Sequence, residues 1–250
     1  MSLTIEEWHK RYKQQARWTR DLRDTLLPRL DFRTLPSILA IGCGTGAVIE
    51  DLVERTSGSI YGGDIDIQAL NMAMRNVPRA IYFAGDGLQL PFPDNTFDLS
   101  LNHFYLLWVE DPLQAVQEMA RVTRSGGAVL ALAEPDYGGR IDHPPPLDSI
   151  REPQISALRR QGADPFLGRK LQELFHRSGL QAVNTGVFQG HWSGQTEEVD
   201  ENLEWRVLKE DLEPNLSPAE LERLRRADHE ARRAKRRVLF LPTFYAWGFV

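Results

Sequence analysis

Five residues set the tightest limit on what this chain can become. Ser37-Ile38-Leu39-Ala40-Ile41 is a short apolar run that ends in Gly42-Cys43-Gly44-Thr45-Gly46, and apolar residues at helical spacing follow at once (Val48, Ile49, Leu52, Val53). A buried strand running through a glycine turn into a helix lets a ligand lie against main-chain atoms with no Cβ in the way. The same alternation then continues. Strands are expected over 59–64, 80–85, 97–102 and 128–133, with helices over 67–76 and 112–124 between them. Such a pattern specifies an α/β fold, a doubly wound parallel sheet with helices on both faces.

Around this core the texture differs. Residues 3–30 carry Trp8, Tyr12, Ala16, Leu22, Leu26 and Leu27 at roughly helical spacing, which predicts one or two helices ending near Pro28. After Glu134 comes a Pro- and Gly-rich loop, then an amphipathic helix over 166–178 and a strand over 180–188. Residues 196–237 are charged and helical, and 238–250 return to a strand-like, aromatic texture. The expected division is a helical cap at 1–35, a ligand-binding core at 36–190, a helical lid at 191–237 and a closing strand of the core at 238–250.

A net charge of -5 gives no electrostatic case for nucleic acid as the main partner. No apolar run reaches the roughly 20 residues a membrane helix needs, and the single cysteine excludes a disulfide framework. A cytoplasmic protein with no membrane partner is the expectation. No His, Cys or carboxylate set has convincing metal spacing, so none is expected to hold a metal.

Asp64 closes the second strand about 20 residues after the glycine turn, where folds of this kind hold a ribose diol. The third glycine follows the second by two positions, GxGxG rather than the dinucleotide GxGxxG, which disfavours a pyrophosphate. Further motifs follow in order: Gly63-Asp64-Ile65-Asp66, then Gly85-Asp86-Gly87 leading to Pro91-Phe92-Pro93-Asp94, then Glu118 to Gly127. Together IGCGTG, GDIDIQAL, GDGLQLPFPDNTFD and EMARVTRSGG resemble the class I S-adenosylmethionine-dependent methyltransferases, in particular the small-molecule enzymes akin to ubiquinone/menaquinone C-methyltransferases.

That resemblance covers residues 36–134 best. It implies a Rossmann-like seven-stranded sheet, mostly parallel, whose last strand is antiparallel, and S-adenosyl-L-methionine as cofactor. It further implies that Gly42, Cys43 and Gly44 face the methionine part of the cofactor while Gly46 permits close packing. Asp64 then takes the ribose hydroxyls, Asp86 the adenine amine with Gly87 beside the ring, and Ile65 and Asn102 line the same site. Trp18 folds over the cofactor or anchors its helix. Asp66 reads as a helix N-cap. Cys43 has no neighbouring base, and methyl transfer needs no covalent enzyme intermediate, so it is not read as a nucleophile.

On the acceptor side, His103 follows the fourth strand, either as a general base or as a packing histidine. Tyr105, Asp136 and Tyr137 are expected to shape the substrate pocket, and His143 and His191 are further, weaker choices. The prolines of the amine-methylating box are missing after Asn102, which argues against exocyclic-amine methylation of nucleic-acid bases. Arginines concentrate at 221–237, but Glu222, Asp228 and Glu230 interleave with them and no stacking aromatics do. The expected partner is therefore a small-molecule acceptor, methylated at O, N or C. The rival readings are a nucleic-acid or protein methyltransferase and a silent cofactor-binding protein. The oligomeric state is not specified.

Overall fold

The computed structural model describes residues 3–188 and 198–250. Its N-terminal helix α1 (Ile5–Trp18) begins in a capping box: Thr4 Oγ1 accepts from Glu7 N–H, and Glu7 accepts from Thr4 N–H. A second helix, α2 (Arg20–Leu26), leads through two short 3-10 turns into the sheet. The core then alternates as expected: β1 (Ser37–Ile41), α3 (Ala47–Val53), β2 (Ser59–Asp64), α4 (Ile67–Asn76), β3 (Ile81–Ala84), β4 (Phe97–Asn102), α5 (Pro112–Val122) and β5 (Thr123–Pro135). Asp66 caps α4 by accepting from Gln68 and Ala69 N–H, as its position predicted.

The remaining elements are β6 (Ile141–His143), α6 (Arg151–Arg160), α7 (Leu171–Arg177), β7 (Gln181–Phe188), α8 (Glu198–Leu212), α9 (Pro218–Arg233), β8 (Val238–Phe240) and β9 (Thr243–Phe249). Seven strands form one sheet in the order β3-β2-β1-β4-β5-β9-β7. All neighbours pair in parallel except β9, which runs antiparallel to both β5 and β7. The sheet is thus Rossmann-like, seven-stranded and mostly parallel, with the last strand reversed. One expectation needs refining: residues 238–250 are two strands, and β8 pairs with β6 in a separate ribbon rather than with the sheet.

Strand order reverses between β1 and β4, so the connections leaving their C-terminal ends diverge to opposite faces and open a crevice there. Side chains of β1 alternate in the manner of a strand buried on both faces. Leu39 and Ile41 enter the core beneath α5 and α7, while Ile38 and Ala40 enter the core beneath α2 and α3.

A third, smaller core joins α8 and α9 to Leu147 and Ile150. It is tied to the ribbon by a buried chain of charges. Arg140 meets Asp142 at 2.6 Å, Asp142 meets Arg237 at 2.5 Å, Arg237 meets Asp228 at 2.5 Å, and Asp228 meets Arg232 at 2.7 Å. The cluster of arginines read from the sequence is therefore partly internal: Arg232 and Arg237 are consumed by carboxylates. Among the described residues no helix is long and apolar enough to cross a membrane.

Candidate functional site

A cavity of about 630 Å³ opens at the sheet's reversal point, within the size range of small-molecule sites. Its floor is the glycine turn. Gly42 and Gly44 have φ of +64° and +50°, which β-carbon-bearing residues rarely adopt. A Cβ at Gly42 would also run into the ring of Tyr105, and one at Gly44 would lie 3.3 Å from Tyr12. Gly46 is not part of the cavity wall. It packs on α4, where a Cβ would come within 3.1 Å of Ala73.

The carboxylate of Asp64 lies at the cavity edge. One oxygen accepts from Gly44 N–H at 2.7 Å and the other from Asp66 N–H at 3.0 Å. Each oxygen keeps a lone pair for a further donor, as a diol would supply. Because Gly44 N–H is already used, the turn offers it to no phosphate. Ile65, 75% exposed, lines the cavity next to it, together with Asp86, Gly87 and Leu88. Asp86 turns one oxygen to Leu88 N–H. Asn102, buried at the end of β4, also lines the cavity, and its Oδ1 has no hydrogen-bond donor.

Charge on the wall is one-sided. Asp64, Asp86 and Glu110 line the cavity among the described residues, and no Lys or Arg does. A cationic ligand with hydroxyl donors suits this lining, whereas a pyrophosphate does not. S-adenosylmethionine is such a ligand: a sulfonium, an ammonium, a ribose diol and an adenine. The Cys43 thiol is pushed up by burial and by Asp64, so the neutral form prevails and nucleophilic chemistry is disfavoured.

The opposite wall is aromatic. Trp8, Tyr12 and Gln15 present one face of α1, and Trp108 and Tyr137 complete it. Helix α1 is fastened over the glycine turn by His9, whose Nδ1 lies 2.8 Å from Thr45 Oγ1, and by the Lys13–Glu50 pair. The Trp8 and Tyr12 spacing was visible in sequence. Their role in the wall was not, because only the tertiary fold carries α1 across the crevice.

His103 lines the cavity beside Tyr105. Its Nε2 lies 2.8 Å from Thr19 Oγ1, Thr19 Oγ1 accepts from Arg23 Nη1 at 2.8 Å, and Arg23 Nε donates to Asp51 at 2.5 Å. Burial and the Arg23 charge push the His103 pKa well down, so the imidazole is neutral at physiological pH. Tyr105 spans from Gly42 to Gly87, where its hydroxyl occupies the space of any added Cβ. It is held there by Glu134, a residue that sequence reasoning treated only as the end of a strand. Glu134 is fully buried and accepts from the N–H groups of Tyr105, Leu106 and Leu107. Burial nevertheless pushes its pKa up to about 7.

Three expected site residues stand elsewhere. Asp136 is buried in a two-pronged pair with Arg169, away from the cavity that neighbouring Tyr137 lines. Trp18 does not line the cavity; the Arg11 guanidinium stacks on its ring, 4.6 Å from the centroid. His143 is exposed on β6, and His191 lies outside the described residues.

Known proteins resemble this chain in the same region. Residues 39–131 match the methyltransferase-domain family model. A demethylmenaquinone methyltransferase of Paenarthrobacter aurescens is 34% identical over 121 residues, 48% of this chain and 46% of that protein. The rat mitochondrial arginine-hydroxylase NDUFAF5 is 28% identical over 181 residues, 68% of this chain and 50% of that protein. The chain thus spans about half the length of these relatives. A solved S-adenosylmethionine-dependent methyltransferase of Thermotoga maritima shares the fold, with a TM-score of 0.60 at 15% identity over 98% of this chain and 97% of that one. The chain carries a class I S-adenosylmethionine-dependent methyltransferase domain, with S-adenosylmethionine as its cofactor.

Proposed function

We propose that this protein transfers the methyl group of S-adenosylmethionine to O, N or C of a small organic acceptor by in-line displacement. The observation that carries the reading is the shape of the cavity: glycine turn and carboxylates on one wall, aromatic rings of α1 and Tyr137 on the other, with α1 fastened across the mouth. A polymer would need an open groove and a basic rim.

In this reading Gly42, Cys43 and Gly44 face the methionine part, Asp64 binds the ribose hydroxyls, and Asp86, Gly87 and Ile65 surround the adenine. Asn102, with its unmatched Oδ1, faces the same ligand. The cofactor supplies an activated methyl on a cationic sulfur. The protein's part is to hold an acceptor atom in line with it and keep water out. Tyr137, Trp8 and Tyr12 exclude water, and Tyr105 fixes the floor between the two. In this reading His103, neutral and hydrogen-bonded to Thr19, takes a proton from the acceptor. Nucleophiles that are already anionic need no such base. Of the segment 191–237, the described residues 198–237 act as a lid over the acceptor side, and 1–35 as its cap, on the core of 36–190 closed by β9 within 238–250.

Incubation with methyl-tritiated S-adenosylmethionine and three acceptor pools (small organic molecules, total RNA and unfractionated protein) tests this directly. Label is expected in the small-molecule pool. Transfer confined to RNA or protein would contradict the proposal.

A further inference from the structure

A buried cation without an anion stands behind the acceptor wall: Arg11 does not line the cavity, but Tyr137, which does, lies within reach of its charge. Residues four apart on a helix differ by about 40° around its axis, so Arg11 flanks Gln15 on the side of α1 that faces α8. Arg11 is set deep among protein atoms yet keeps some accessible surface. Its guanidinium stacks on Trp18 and donates from Nη1 to Gln14 Oε1 at 2.6 Å. Among the described residues no carboxylate comes within ion-pair distance of it, whereas buried Arg23, Arg140, Arg232 and Arg237 each meet an Asp or Glu. Its nearest opposite charges are engaged elsewhere: Glu204 with Arg232, and Asp211 with Gln154 and Gln161. Burial accordingly lowers the Arg11 pKa.

A second group in the same place is also unsatisfied. Gln14 is 1% exposed, and its Nε2 has no acceptor. Oε1 and Nε2 belong to one amide, so these two N–H donors lie next to the guanidinium. Apart from the bond between them, the guanidinium and the Gln14 Nε2 are donors with no acceptor among the described residues, and side by side they form half of a recognition site. Tyr137 joins this corner to the cavity: it lines the wall, and the Arg11 charge acts on its phenol.

We infer that Arg11 and Gln14 bind the carboxylate of the methyl acceptor, which makes the acceptor a small organic acid with an apolar body. The inference rests on the methyltransferase reading. A carboxylate suits the planar fork of one guanidinium. A phosphate dianion would bring a second negative charge close to Glu204 and Asp211 with no cation to meet it. Trp8, Tyr12 and Trp108 supply the apolar surface for the rest of the molecule.

Calorimetry on the full chain saturated with S-adenosylhomocysteine tests this, using benzoate, phenylacetate and hexanoate against their amides, with phenyl phosphate as a further probe. In the wild type at least one acid should bind about tenfold or more tighter than its amide. Arg11→Met should bring that ratio to within roughly twofold. Gln14→Glu supplies the missing anion in place, so it should remove acid binding while raising the melting temperature, which separates the effect from misfolding. The inference is overturned if no acid binds, if acids and amides bind alike, if Gln14→Glu keeps the preference, or if phenyl phosphate binds tighter than every acid. Should S-adenosylhomocysteine itself not bind, the methyltransferase reading fails, and the acid-to-amide ratio measured without it still judges the anion site.

Discussion

The strand-end wall of the cavity is built from backbone turns, the helical wall from side chains gathered out of α1, the C-terminal end of α6 and the loops after β4 and β5. On the first, each feature follows from a few consecutive residues: a glycine with positive φ, an acid closing a strand, an amide beside it. On the second, Trp8, Tyr12, Trp108, Tyr137 and Gln161 come from distant parts of the chain, and Gln161 is tied to Asp211 of α8, the helix whose small core the buried charges anchor. The strand-end wall is therefore specified locally, and the helical wall depends on the stability of a distant ionic core. This contrast can be broken or sharpened by substitution.

The largest effect is expected from Asp228→Ala. Asp228 is 2% exposed and takes Trp205 Nε1, Arg232 and Arg237. Its loss leaves Arg232 with Glu204, Arg237 with Asp142 and the Trp205 N–H without this acceptor, and should cost about 3–5 kcal/mol in denaturant unfolding. Cofactor affinity of the folded fraction should change less than about threefold. A cost below about 1 kcal/mol would separate the helical wall from its ionic core.

Gly42→Ala strikes the other wall. Positive φ and collision with Tyr105 together should cost about 2–3 kcal/mol, and S-adenosylhomocysteine affinity should fall with it. Tyr105→Ala in the same chain should restore part of the loss, so the double-mutant cycle is non-additive by more than about 0.5 kcal/mol. Additive effects would mean that Tyr105 is not what excludes a side chain at Gly42.

A smaller effect links the walls through Glu134. Its pKa is raised by burial from 4.5 to about 7, so between those values the folded chain holds a proton that the unfolded chain releases. Stability from this group is full below pH 4.5, falls as pH rises to about 7 and is level above that. The fall should be of the order of 1–3 kcal/mol, and Glu134→Gln should flatten it in urea titrations at several pH values. A wild-type profile with no such slope would contradict the burial argument.

How far the sequence was legible follows the same division. The strands and helices of residues 37–102 stand almost where periodicity put them, because each is short, apolar and bounded by glycine or an N-capping acid. Strand β5 is longer than its apolar run. Residues 123–127 join it through main-chain bonds between Gly126, Gly127 and Val250, a partner far along the chain. Helix α6 was missed: Pro153 and a polar surface obscure it, and Gln154 is buried for Arg140 and Asp211 rather than for an apolar core. Asp136 misled in the opposite way, since an acid at a strand end can serve a ligand or an arginine, and Arg169 lies 33 positions away. Arg11 and Gln14 give no signal in one dimension, because what marks them is the anion the one lacks and the acceptor the other lacks among the described residues.

The central claim is that the glycine turn and Asp64 bind an adenosyl sulfonium cofactor. Titration of S-adenosylhomocysteine into wild type and Asp64→Ala by calorimetry tests it most directly, with NADH as the competitor cofactor. Loss of two charge-assisted bonds predicts saturable binding to the wild type, about 100-fold weaker in the variant, and no heat from NADH. Binding of NADH with none of S-adenosylhomocysteine, or equal affinity in the two chains, would contradict it.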